Sequence, residues 1–135
     1  MAITELHTFG FQKEIELKQR LEDALGEQLT KTEARYAQMD YLGQTHFVEL
    51  KSRRSPISPA TYNTWLLPTA KKPLSKDKDT IYFYYFEKDN SLHYIFYDEE
   101  LFNTFEKNVP GWHPTGQEHW YIPRKHWTDL ADETT

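Results

Sequence analysis

The chain contains no cysteine. Its absence removes a disulfide framework, a thiolate zinc site, an iron–sulfur cluster and a cysteine nucleophile. Glycine is scarce, with five residues among 135. No G-x-G-x-x-G, G-x-S-x-G or Walker loop is written with them, which disfavours a Rossmann enzyme, a serine hydrolase and a P-loop NTPase. No apolar run approaches the roughly 20 residues that a membrane-spanning helix needs, so no membrane partner is expected. The opening MAITELHTFGFQKEIE lacks the basic start and apolar stretch of a secretory leader. An intracellular, cytoplasmic location is therefore expected. None of the six histidines sits at the close spacing of a ligand pair, so structural zinc is not expected either.

Aromatic residues are abundant: nine Tyr, eight Phe and four Trp, 16% of the chain. Each large ring buries on the order of 150–250 Å², so a hydrophobic content of 38% still suffices for a core. The length fits one domain spanning 1–135, with 1–9 and 131–135 expected to be flexible ends. Sixteen basic residues face 21 acidic ones, a net charge of −5, which gives no support to a polybasic nucleic-acid binder. The basic residues are nonetheless clustered, as KSRR at 51–54 and KKPLSKDK at 71–78. A local basic face can coexist with an acidic total.

Hydrophobic spacing predicts a first helix from Phe11 to about Gln28, with Phe11, Leu17, Leu21, Ala24 and Leu25 on one face and Gly26 near its end. A β-leaning stretch over 36–42, a Gly43-Gln44 turn and an alternating strand over 45–51 read as a hairpin. Ser58-Pro59 has the form of a helix start, so a second helix is expected over 58–67. TIYFYYF at 80–86 is the strongest strand signal, with 92–97 as its partner across an Asp89-Asn90 turn. A short helix over 99–107 and a last strand over 119–122 complete the order α-β-β-α-β-β-(α)-β. This is an α/β or α+β domain built on a mixed sheet.

The chemistry concentrates on the first hairpin. Glu49 and Lys51 are two apart on one strand and emerge on one face, and the turn can bring Asp40 beside them. Two converging carboxylates make a hard-oxygen site suited to Mg²⁺ or Mn²⁺, and a neighbouring lysine can orient or deprotonate water. The bland alternative is a solvated hairpin face whose charges merely pair. Phe47 and Val48 ahead of Glu49 weigh against it, because buried charge on a central strand is costly without a role. On the first helix, Glu14 lies at the centre of the apolar face, whereas Glu16 lies about 200° around.

These residues, set in MDYLGQTHFVELK, resemble the PD-(D/E)XK or restriction-endonuclease-like nuclease superfamily, in particular small phage-type or Holliday-junction-resolvase-like members. The resemblance covers roughly residues 11 to 97, and Met39 stands where the family name places proline. It implies DNA as partner, Mg²⁺ with Mn²⁺ as substitute, and hydrolysis of phosphodiester bonds. Asp40, Glu49 and a helix glutamate, Glu14, would hold the metal, and Lys51 would assist water attack. Arg53 and Arg54 suit bidentate phosphate contact. The stretch TYNTWLLPTAKK is similar to phage-type members with Tyr and Thr on the following helix and then Lys, with Tyr62, Thr64 and Lys71 as the matching positions; Tyr62, Lys71 and Lys72 are expected toward DNA. A homodimer would supply two sites for two strands. The same fold kept as a catalytically silent DNA- or protein-binding module is the alternative, and an aromatic-rich interaction protein a third.

Overall fold

A computed structural model of the chain describes residues 15–32, 39–73, 75–111 and 116–130. Helix α1 occupies 15–25 of that range. It ends where Gly26 takes φ +69° and its N–H bonds back to the Glu22 carbonyl at 2.8 Å. Glycine carries no Cβ penalty in that left-handed conformation and so stops the helix cheaply.

Nine strands follow among the described residues: β1 (Thr30–Lys31), β2 (Tyr41–Leu42), β3 (His46–Arg53), β4 (Thr64–Pro68), β5 (Asp79–Phe86), β6 (Ser91–Phe96), β7 (Glu106–Asn108), β8 (His119–Pro123) and β9 (Thr128–Asp129). Helix α2 (Glu99–Phe102) lies between β6 and β7. The main sheet has the order β1-β2-β3-β5-β6-β9. It is mixed: β3 and β5 run parallel, and the other neighbours are antiparallel. A second, antiparallel sheet has the order β4-β8-β7. The class is thus α+β around a mixed sheet.

The main sheet is covered on both faces. On one face, Leu17 and Leu21 of α1 join Val48, Ile81, Phe83 and Tyr85 in one core. On the other, Trp65, Leu67, Trp120 and Ile122 of the second sheet meet Phe47, Tyr82, Tyr84 and Phe86. This explains why β5 reads as an unbroken apolar run: both faces are buried. Trp65 is the hub of the second core, its ring centre 4.8 Å from Phe86 and 5.3 Å from both Tyr84 and Trp127.

The expected second helix over 58–67 does not form. Ser58 to Thr61 closes a turn instead, with Thr61 N donating to the Ser58 carbonyl at 3.0 Å and Ser58 N donating to Thr61 Oγ1 at 2.8 Å. The same serine and proline that suit a helix start also suit a turn. Thr64, Trp65 and Leu66 then favour a strand, and β4 pairs with β8 from Thr64↔Pro123 to Pro68↔His119. The connection between parallel β3 and β5 is therefore made through a strand. Helix α2 is shorter than expected and is capped by Asp98, whose side chain accepts from Leu101 N at 3.0 Å. The β5–β6 turn falls on Asp89-Asn90, with Asn90 at φ 53°. The segments 1–9 and 131–135 lie outside the described residues. Among the described residues no helix is long and apolar enough to cross a membrane.

Candidate active site

The register of the β2–β3 hairpin assembles the first pair. Tyr41 lies across from Val48 and Leu42 across from Phe47, and Asp40 N donates to the Val48 carbonyl at 3.0 Å. One step further along this register sets Asp40 opposite Glu49, and opposed residues of antiparallel strands project to one face. Asp40 is anchored by its backbone and its side chain. Its carbonyl accepts from Thr32 N at 3.0 Å, and its Oδ2 accepts from Leu50 N at 2.9 Å.

Along β3, Phe47, Glu49, Lys51 and Arg53 alternate toward the face covered by the second sheet, while Val48 points toward α1. Parallel pairing sets Glu49 beside Tyr82 and Lys51 beside Tyr84. Glu49 keeps only 7% of its surface in solvent. Among the described residues its Oε2 makes no hydrogen bond. The nearest cation is Lys71, whose Nζ stands 3.5 Å away, within ion-pair range.

Lys71 arrives from a 3-10 turn, Thr69–Lys71, that follows β4. Tyr82 Oη donates to the Lys71 carbonyl, so the residue beside Glu49 on β5 also holds the turn that carries the lysine. Sequence reasoning had placed Lys71 among the DNA contacts, not against a carboxylate. It also missed Tyr82 and Tyr84. The alternation of TIYFYYF held the signal, because both tyrosines share the parity that faces Glu49 and Lys51 once β3 and β5 are known to pair.

The electrostatics follow from this crowding. Burial and the adjacent Asp40 carboxylate push Glu49 up to about 8, against the opposite pull of Lys71. Burial, with the nearby charges of Arg53 and Lys71, holds Lys51 below the ordinary lysine value, while Glu49 and Asp40 oppose the shift. Burial raises Tyr82 and Tyr84 as well. Two carboxyl groups are thus held together away from water, and the buried one keeps its proton toward neutral pH.

The other sequence-derived residues are more dispersed. Arg53 continues the Glu49–Lys51 face, and its Nε donates to Tyr84 Oη at 2.9 Å. Arg54 and Lys72 are exposed. Tyr62 is not on a helix: it stands 57% exposed in the turn region before β4, and Thr64 begins that strand. Glu14 lies outside the described residues. The leucines expected to carry it inward do face the sheet, but Leu17 and Leu21 pack on the side opposite Glu49 and Lys51. Among the described residues no group of three or more His, Asp or Glu is gathered at metal-binding distance; Asp40 and Glu49 form a pair. His46 belongs to the other face of β3 and bonds Glu27 Oε1 at 2.9 Å. A separate polar chain, Asp129–His93–Ser91 at 2.6 and 2.9 Å, ties β9 to β6.

Comparison of the chain with protein-family models, with curated proteins and with solved structures finds no match in any of the three.

Proposed function

We propose that this protein is a divalent-metal-dependent nuclease that hydrolyses DNA phosphodiester bonds, on a restriction-endonuclease-like variant in which β4 replaces the helix between β3 and β5. The observation that carries this reading is Glu49: a buried carboxyl raised to about 8 beside Asp40, its Oε2 without a hydrogen bond among the described residues and met by Lys71 Nζ at 3.5 Å. Such a pair fits Mg²⁺ or Mn²⁺, since both donors are hard oxygens on facing strands. Asp40 and Glu49 would hold the ion. When bound, the ion supplies positive charge to the phosphate and acidifies water.

The remaining work belongs to Lys51, Lys71 and Arg53. Burial and the nearby charges of Arg53 and Lys71 hold the Lys51 amine below the ordinary lysine value, which favours its acting on the attacking water. The water oxygen then forms the new P–O bond, the P–O bond to the leaving sugar oxygen breaks, and a proton is returned to that oxygen. Arg53 and Lys71 offer charge to the phosphate oxygens, with the exposed Arg54 and Lys72 as their neighbours in sequence. A homodimer would present two such centres to a duplex.

The 3.5 Å approach of Lys71 to Glu49 favours a second reading, a silent DNA-binding module in which the ammonium takes the place of a metal. Incubation with a panel of labelled DNA structures in Mg²⁺, Mn²⁺ and EDTA separates the two. Metal-dependent strand scission is expected. Binding without scission in either ion leaves the silent module.

A further inference from the structure

Beyond Lys51, the same face of β3 opens into a cleft of about 450 Å³. Its lining combines one cation with several rings: Arg53, Tyr84, Trp65, Tyr121, Tyr62 and the aliphatic Ile57. Five separate parts of the fold meet here, namely β3, β5, the turn leading into β4, β4 itself, and β8. A concave site of this size, mostly apolar with a few placed polar groups, is the form that takes a small planar ligand.

The rings differ in exposure, and the difference is informative. Trp65 and Tyr84 are buried and belong to the core. Tyr121 is half-buried. Tyr62 keeps 57% of its surface in water, so packing of the core does not account for it. Trp65 already closes that core against Phe86, Tyr84 and Trp127. Arg53 is fixed at the wall, its Nε bonded to Tyr84 Oη at 2.9 Å and its guanidinium carbon 5.9 Å from that ring's centre. That contact uses one edge of the guanidinium and leaves the Nη atoms suited to a phosphate. Two residues along a strand separate Arg53 from Lys51, about 7 Å, within one nucleotide's reach.

We propose that this cleft receives an unpaired nucleobase of the strand being cut, stacked against Tyr62, while Arg53 holds the adjoining phosphate. The inference rests on the nuclease reading for the scissile phosphate and narrows its substrate. A base inside a continuous duplex does not reach a pocket without leaving the stack. The substrate class is therefore single-stranded, flapped or frayed DNA. Stacking on tyrosine tolerates every base, so little sequence preference accompanies it.

The test uses the wild-type chain and single-stranded oligonucleotides carrying 2-aminopurine at one position at a time, with the matching blunt duplex, in Ca²⁺. Quenching at one position and tighter binding of the single strand than of the duplex are expected. Tyr62→Ala should weaken single-strand binding about tenfold and lose the quenching, and Tyr62→Phe should retain both. Equal or tighter duplex binding, quenching at no position, or a Tyr62→Ala variant that binds like wild type would overturn the proposal. A parallel arm in Mg²⁺ separates the two readings. Position-specific quenching without cleavage keeps the cleft and removes the nuclease, whereas cleavage with kcat/KM unchanged in Tyr62→Ala removes the cleft alone.

Discussion

Glu49→Gln in the metal-free protein isolates the electrostatic tension at the candidate site. In the fold, Glu49 is raised from the ordinary 4.5 to about 8 by burial and by Asp40. The folded state therefore holds a proton that the unfolded chain has released anywhere between those two values. Stability falls as pH rises through that window, because the folded state binds more protons than the unfolded one. The cost is absent below pH 4.5 and complete above about pH 8. Each pKa unit is worth about 1.4 kcal/mol, so the cost reaches about 3 kcal/mol at pH 7. Glutamine keeps the shape, carries no charge and can donate to Asp40. The variant should match wild type in stability near pH 4.5 and exceed it by about 3 kcal/mol at pH 7, a Tm difference of about 10 °C at this chain length. Thermal melts in EDTA from pH 4.5 to 8.5 measure this directly. Adding Mg²⁺ should stabilise wild type more at pH 8 than at pH 5 and leave Glu49→Gln unmoved. Parallel stability curves for the two proteins across the whole range would refute the reasoning.

Lys51→Ala is expected to lower the single-turnover cleavage rate by about 100-fold or more with metal affinity retained; loss of metal binding in a calorimetric titration would make its role structural. DNA binding in Ca²⁺ should weaken with added salt despite the net charge of −5, because local Lys and Arg displace condensed counterions. Trp65→Ala, at the centre of the ring cluster, should cost about 3–5 kcal/mol in urea unfolding; a loss under 1 kcal/mol would contradict its place as the hub.

What was legible in the sequence had local causes. Leu17 and Leu21 at helical spacing marked the buried face of α1, and the Gly43 turn with the alternation after it marked the hairpin that sets Asp40 against Glu49. The unbroken ring-rich run over 80–86 announced a strand buried on both sides. What was missed depends on partners distant in the chain. Ser58-Pro59 serves a turn as readily as a helix, and β4 becomes a strand only because β8 offers it a ladder some 55 residues later. Nothing local tells which face of the sheet α1 covers, so the side opposite Glu49 was not foreseeable. Lys71 meets Glu49 because the β3–β5 crossover returns it there, a consequence of topology and of the Tyr82 hydroxyl that holds its carbonyl.

The most direct measurement is the Mg²⁺ dependence of single-turnover cleavage of a labelled single-stranded or flapped DNA by wild type, Asp40→Asn and Glu49→Gln, with folding of each verified by circular dichroism. The account predicts a saturable Mg²⁺ requirement in wild type, no cleavage in EDTA, and activity at background in both variants. Cleavage by either variant at the wild-type rate, or by wild type in EDTA, would contradict it.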